Sequence, residues 1–197
     1  MKILFISDIH GITDNLCLIE NLEKKESFDK IICLGDLYYT GPTFDKTKEV
    51  SSSSVLDFLM KYNSKMIAVR GNCDSDVDVK ATDFPILNNL GLIMVDGNDL
   101  YFTHGNEYSI EKNRKFNRKG VLIYGHEHIP YIKKKDDMVY INVGSISVPK
   151  SDVGCTYGIY ENNKFTIYDI NNKIIDSIKK PAKSFLDFRW FYLFNIF

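Results

Sequence analysis

The chain has 197 residues, 44% hydrophobic and 26% charged, with a formal net charge of −1 at pH 7. That balance supports a folded chain with a substantial core and excludes charge-driven disorder. It leaves no overall basic field to draw in a polyanion. The one dense basic run, Lys133-Lys134-Lys135, is followed by Asp136-Asp137 and reads as a solvated hairpin rather than a nucleic-acid patch.

KILFIS (2–7) and KIICL (30–34) are short, β-branched-rich runs apolar on both faces, the pattern of buried strands. Between them Asn15 to Lys25 sets Leu16, Ile19 and Leu22 at helical spacing, which predicts a β-α-β start. A second helix is predicted over Val55–Lys61, with Ser51–Ser54 as N-cap material, and the strand KMIAV (65–69) follows. The pattern then changes. LIMVDGNDLYFTHG (92–105) predicts two strands around an Asp-Gly-Asn turn. VLIYG (121–125), YIKKK (131–135), MVYINVGS (138–145), CTYGIYE (155–161), KFTIYDI (164–170) and KIIDSI (173–178) read as further strands, with Asp136-Asp137 and Asn162-Asn163 marking two of their turns. An α/β first half and a β-rich second half predict two packed sheets with helices outside, in one domain over residues 1–180. Residues 181–197 hold the only tryptophan and are dense in aromatics. They read either as a segment that docks on the domain or on another subunit, or as a sequence artefact.

The N-terminal apolar run is interrupted by Asp8 and His10 too early for a secretory signal, and no run approaches the ~20 apolar residues that span a bilayer. Four cysteines, Cys17, Cys33, Cys73 and Cys155, are widely spaced without a CxxC pair. These features predict a cytoplasmic protein with free thiols.

Polar residues collect at the C-terminal ends of the predicted strands: Ser7-Asp8-Ile9-His10-Gly11, Gly35-Asp36, Gly71-Asn72-Cys73-Asp74, Thr103-His104-Gly105 and Gly125-His126-Glu127-His128. In open α/β sheets this edge binds ligands, and all four histidines of the chain lie on it. Taken singly each motif is ordinary: an aspartate after a strand is usually a helix cap, GD or GN a turn, and HxH a pair of surface or core histidines. Taken together, Asp8, His10, Asp36, Asn72, His104, His126 and His128 are the oxygen and nitrogen donors that divalent metals use. They are too many for one ion and about right for two ions sharing a carboxylate. Neither GxxxxGK[ST] nor GxGxxG occurs, so nucleotide-cofactor readings have no support.

The order DxH, GD, GN, H, GHxH resembles the calcineurin-like metallophosphoesterases. More narrowly, SDIHG, VRGNCD, THG, YGHEH and NVGSISVPK look like the YfcE-type group of small bacterial and archaeal phosphodiesterases, over residues 1 to about 178. The resemblance implies a four-layer αββα sandwich of two mixed sheets with a binuclear centre on one edge. It implies that Asp8, His10 and His128 hold one metal, that Asn72, His104 and His126 hold the other, and that Asp36 bridges them. Mn²⁺ is the leading candidate, with Ni²⁺, Fe and Zn²⁺ compatible with the same donors. A bridging hydroxide would attack the phosphorus of a small phosphodiester or activated phosphoester in line with the leaving group. No nucleic-acid polymer and no membrane are expected as partners, and a homodimer or homotetramer is admitted. The rival is a non-catalytic, protein-binding scaffold of the same fold, as in the retromer subunit, where the metal site is degraded.

Three departures from the family pattern stand out. Cys73 follows Gly71-Asn72 where the wider superfamily has histidine. Asn106 replaces the second histidine of THGH, and NVGS (Asn142–Ser145) stands for NPGS. A cysteine at position 73 could be a nucleophile, a metal ligand, half of a disulfide or a stand-in. The stand-in reading is favoured: where relatives have histidine followed by aspartate, the imidazole protonates the leaving group with the aspartate orienting it, and here Asp74 remains with a weakly acidic thiol beside it. Adjacent strand residues point oppositely, which disfavours Cys73 as a ligand beside Asn72, although at a turn that rule loosens and coordination stays open. Glu127 is expected to point away from the metals, as a surface residue.

Overall fold

The computed structural model describes residues 1–42, 45–112 and 118–179, so the aromatic tail at 181–197 lies outside the described residues. The chain opens with β1 (Ile3–Ile6), α1 (Leu16–Glu26), β2 (Lys30–Cys33), α2 (Ser52–Met60) and β3 (Met66–Val69), followed by α3 (Asp76–Ala81) and β4 (Ile86–Leu87). The strands β5 (Gly91–Val95), β6 (Asn98–Phe102), β7 (Gly120–Tyr124), β8 (Tyr131–Lys135), β9 (Met138–Asn142), β10 (Thr156–Glu161), β11 (Lys164–Asp169) and β12 (Ile174–Lys179) complete it.

These strands form two mixed sheets. The first runs β12-β11-β10-β1-β2-β3-β4, parallel from β1 to β4 and antiparallel beyond β10. The second runs β5-β6-β7-β9-β8, with β6, β7 and β9 parallel and its two edge strands antiparallel. The doubly apolar strand runs are explained by the layers they separate. In β1, Ile3 and Phe5 face Phe102, Ile123 and Ile141 of the second sheet, while Leu4 and Ile6 face the helices, packing with Ile19, Leu22, Val55 and Leu59. Side chains alternating at a period of two thus serve two cores, one between the sheets and one under α1 and α2. The outer face of the second sheet is covered, among the described residues, by Ile110 and Tyr108 over Tyr101, Leu122 and Tyr140 rather than by a helix.

Both predicted helices form, shifted by a few residues. α1 ends at Ser27 in the left-handed region (φ 52°), and α2 is capped by Ser51, whose hydroxyl accepts from the Ser54 N–H. The Asp-Gly turn between β5 and β6 has both residues at positive φ, Asp96 at 51° and Gly97 at 72°, as a two-residue hairpin requires. All four cysteines are free, and no helix among the described residues is long and apolar enough to cross a membrane.

This topology brings the C-terminal ends of β1, β2 and β3 in one sheet beside those of β6, β7 and β9 in the other. The loops leaving these ends are tied together by backbone hydrogen bonds, among them Asp8 N–H to Gly35 O, His10 N–H to Asp36 O, Gly125 N–H to His104 O and Ile146 N–H to Ser7 O.

Candidate metal centre

At that edge, five of the seven predicted donors sit on backbone that side-chain-bearing residues seldom adopt: Asp8 (φ 55°), His10 (52°), Asp36 (55°), His126 (63°) and His128 (60°). Each costs about 1–2 kcal/mol relative to an ordinary conformation, and the surroundings hold it. The Asp36 N–H donates to Asp74 Oδ2 and the His126 N–H to Asp8 Oδ2, each at 2.9 Å. Glycine makes the crowding feasible. A Cβ on Gly71 would lie 2.1 Å from Asp36 Oδ1, and one on Gly125 would lie 2.0 Å from Ser7 Oγ.

The side chains present lone pairs to one another. The Nδ1–H groups of His10, His104 and His128 donate to the carbonyl oxygens of Tyr39 (2.7 Å), Leu34 (2.7 Å) and Val148 (2.5 Å). That fixes the tautomer and leaves Nε2 of each as an acceptor aimed into the site. There His10 Nε2 lies 3.4 Å from His128 Nε2, and His128 Nε2 lies 3.1 Å from Asp8 Oδ1. His104 Nε2 lies 3.0 Å from Asn72 Oδ1, 3.1 Å from His126 Nδ1 and 3.4 Å from Asp36 Oδ2. Asp8 Oδ1 is fully buried with no hydrogen-bond partner. Five of the seven donors, Asp8, His10, Asp36, His104 and His128, are buried, with His126 half-buried and Asn72 exposed. Buried acceptors gathered on one another are costly unless positive charge stands among them, so this donor set fits divalent cations. The groupings overlap: ligand atoms of Asp8, His10 and His128 lie within 4.8 Å of one another, as do those of Asp8, Asp36 and His104, and those of His10, Asp36 and Cys73. Asp8, His10 and Asp36 are each common to two of the three.

Burial by itself would lower the pKa of His104, but the carboxylates of Asp36 and Asp8 raise it to about 9. Burial likewise opposes ionisation of Asp36, yet the His104 imidazole beside it holds its carboxyl well below the usual range. A proton and a cation would compete for the same His104 nitrogen, so a cation held there would bind less tightly as the pH falls.

Three expectations need correcting or sharpening. Cys73 does not turn away from the site: residues 72 and 73 lie in a turn, where strand alternation does not apply, and both side chains face the donors. The Cys73 N–H donates to Asp36 Oδ1 (2.8 Å), and the Asn72 amide donates to Cys73 Sγ (3.2 Å). Burial and the Asp36 carboxylate push the thiol up to about 12, the opposite of an activated nucleophile. Asp74, expected to orient the group at position 73, instead accepts the backbone N–H groups of Asp36, Leu37 and Gly71 and clamps two site loops together. Glu127 points away from the donors as expected, but it is not a free surface residue. It is half-buried and accepts hydrogen bonds from the Tyr131 hydroxyl (2.8 Å) and the Asn142 amide (3.2 Å).

The sequence reading also missed Ser145. Its hydroxyl donates to Asp8 O and accepts from the N–H groups of Ser147 and Val148, tying the loop after β9 to the first ligand loop. NVGS, already singled out as a motif, was the available signal. Asn106 lies just past the His104 loop, its carbonyl oxygen accepting from the Lys112 ammonium.

Comparison with known proteins gives a consistent result. The profile of the calcineurin-like phosphoesterase superfamily domain matches residues 1–164. The chain is 31% identical to phosphodiesterase YfcE of Escherichia coli K12 over 175 residues, covering 89% of this chain and 95% of that protein. The solved structure of YfcE, a phosphoesterase from E. coli, superposes with a TM-score of 0.84 over 90% of this chain and 98% of that one, at 31% identity. Vps29 of Chaetomium thermophilum has the same fold (TM-score 0.60, covering 92% of this chain and all of that one) at 18% identity.

Proposed function

The chain belongs to the calcineurin-like phosphoesterase superfamily, and on that premise we propose that it is a binuclear metal-dependent phosphodiesterase acting on small phosphodiesters or activated phosphoesters. The observation that carries the metal dependence is the convergence of buried acceptors, above all the partnerless Asp8 Oδ1. In this reading Asp8, His10 and His128 hold one cation, Asn72, His104 and His126 hold the other, and Asp36 is shared. The position of Asp36 Oδ2, 3.4 Å from His104 Nε2 and 3.7 Å from His10 Nε2, between a ligand of each set, supports its bridging role. Mn²⁺ leads the candidates, followed by Ni²⁺, Fe and Zn²⁺.

When bound, two such cations supply Lewis acidity toward the phosphoryl oxygens and a water of lowered pKa as the nucleophile. The protein orients the donors through the carbonyls of Tyr39, Leu34 and Val148 and keeps Asp36 ionised. A cleft of about 290 Å³ lined by Tyr38, Tyr39, Thr40, Ser52, Ser75 and Asp78 reaches the donors at Cys73. That cleft can seat the substituent of a small ester. Asp74 takes part as a positioning residue for Asp36. The rival scaffold reading would be favoured by a broken donor set, and here the set is whole.

The purified protein is expected to hydrolyse bis-p-nitrophenyl phosphate, to lose that activity in EDTA, and to regain it with Mn²⁺ or Ni²⁺. More metal is needed for half-recovery at about pH 6 than at about pH 8, because a proton and the cation compete for the His104 nitrogen. Hydrolysis undiminished by exhaustive chelation would contradict the proposal.

A further inference from the structure

Three of the four histidines at the site are oriented by a backbone carbonyl on the far ring nitrogen, and His126 is the exception. Its Nδ1 faces His104, and among the described residues no carbonyl receives its other nitrogen. Its ring is half-buried, and its backbone is held at φ 63°. Whatever aims His126 must therefore act through the turn that carries it.

That turn is held from beneath by Glu127. The chain of donors runs in one direction: the Ile110 N–H donates to Tyr124 Oη (3.1 Å), the Tyr124 hydroxyl meets Tyr131 Oη (2.6 Å), and the Tyr131 hydroxyl donates to Glu127 Oε2 (2.8 Å). Each hydroxyl accepts once and donates once, and the relay ends on the carboxylate. From the other side the Asn142 amide donates both to Glu127 Oε2 and to Gly125 O, while Asn142 Oδ1 accepts from the Gly144 N–H. Beside Asp8 Oδ2 on the His126 N–H and the His104 carbonyl on the Gly125 N–H, the turn around His126 is thus braced by groups that touch Glu127. His128, by contrast, has anchors of its own: Nδ1 on Val148 O, and its carbonyl accepting from the Lys150 N–H.

We infer that Glu127 is a positioning residue for His126, and that its carboxylate, braced by Tyr131 and Asn142, sets the affinity of the cation held by Asn72, His104 and His126 without setting that of its neighbour. This rests on the two-cation reading given above. Outer residues that orient metal ligands are worth about 10–100-fold in metal affinity.

The test is a calorimetric titration of metal-stripped protein with Mn²⁺, for wild type, Glu127→Ala and Glu127→Gln, with thermal unfolding of each metal-free protein alongside. The expected result is two binding steps in the wild type and one of them weakened about 10–100-fold in Glu127→Ala. The other step stays within about threefold of wild type, and Glu127→Gln, which keeps an acceptor for Tyr131 and Asn142, recovers the lost affinity. If Glu127→Ala does not fold, Tyr131→Phe, which removes the donor and leaves the carboxylate, is titrated in its place and should weaken the same single step. Unchanged steps in the alanine variant, or equal weakening of both steps together with lost stability, would overturn the inference while leaving the two-cation reading standing. A wild type that takes up no Mn²⁺ would overturn both.

Discussion

Asp36→Asn is expected to lower phosphodiester hydrolysis by at least about 100-fold, since removal of well-placed electrostatic stabilisation typically costs that much. The substitution is nearly isosteric at a position only 2% exposed, so packing is preserved. The introduced amide oxygen can still accept the Cys73 N–H, which lies 2.8 Å from the carboxylate in the wild type. What changes is the charge, together with the atom facing His104 at 3.4 Å and His10 at 3.7 Å. An amide there either offers a donor where a cation needs an acceptor or turns that donor onto the Cys73 N–H. In the metal-free protein the change removes one partner of the buried Asp36–His104 pair, so some loss of stability is expected and thermal unfolding is measured beside the rate. A useful control is Glu20→Gln, which removes a carboxylate from an exposed pair with Lys24 on α1 and should leave the rate near wild type. If Asp36→Asn retains the wild-type metal content and stays within about tenfold of the wild-type rate, Asp36 does not bridge.

The second large effect concerns Cys73. A thiol is a weak proton donor, so the wild type should favour esters whose leaving group departs without a proton, such as nitrophenolate. Cys73→His introduces a group that titrates near neutrality, and Asp74 Oδ1, which accepts only the Leu37 N–H among the described residues, has a lone pair left for it. General acid assistance is worth about 10²–10⁴-fold where it is needed, so Cys73→His should raise turnover of alkyl esters toward that range. Cys73→Ser should leave nitrophenyl ester hydrolysis within about tenfold, since a leaving group that departs unprotonated needs little such help. Assays across leaving groups of graded pKa check both. The competing outcome has a structural basis, since Cys73 Sγ groups with ligand atoms of His10 and Asp36. If Cys73→Ser abolishes activity and strips a metal, Cys73 is a ligand and the leaving-group account fails.

The parts of this molecule that were legible in its sequence are those written by periodicity and turn chemistry. The KILFIS and KIICL runs specified strands buried on both faces, and Asp96-Gly97 specified a hairpin, because these signals are local. The donor residues were legible because each stands at a strand end in a short motif. α3 and β4 were not read: α3 has only six residues, all at least partly exposed, and β4 has only two, so neither builds a period. The roles of Asp74 and Glu127 were misread for a different reason. Asp74 accepts backbone N–H groups from three residues, two of which lie 38 and 37 positions earlier in the chain. Glu127 is held by a tyrosine of β8 and an asparagine of β9. Such partners are set by tertiary packing. The side on which Cys73 stands is not legible either, because strand alternation loosens at a turn and only the fold places its thiol beside His10 and Asp36.

The central claim is that the seven donors hold two cations with Asp36 between them. Anomalous diffraction from crystals soaked in Mn²⁺ tests it most directly. The account predicts two peaks, one beside Asp8, His10 and His128 and the other beside Asn72, His104 and His126, with the Asp36 carboxylate touching both. No peak at this edge, or a single peak that does not touch Asp36, would contradict it.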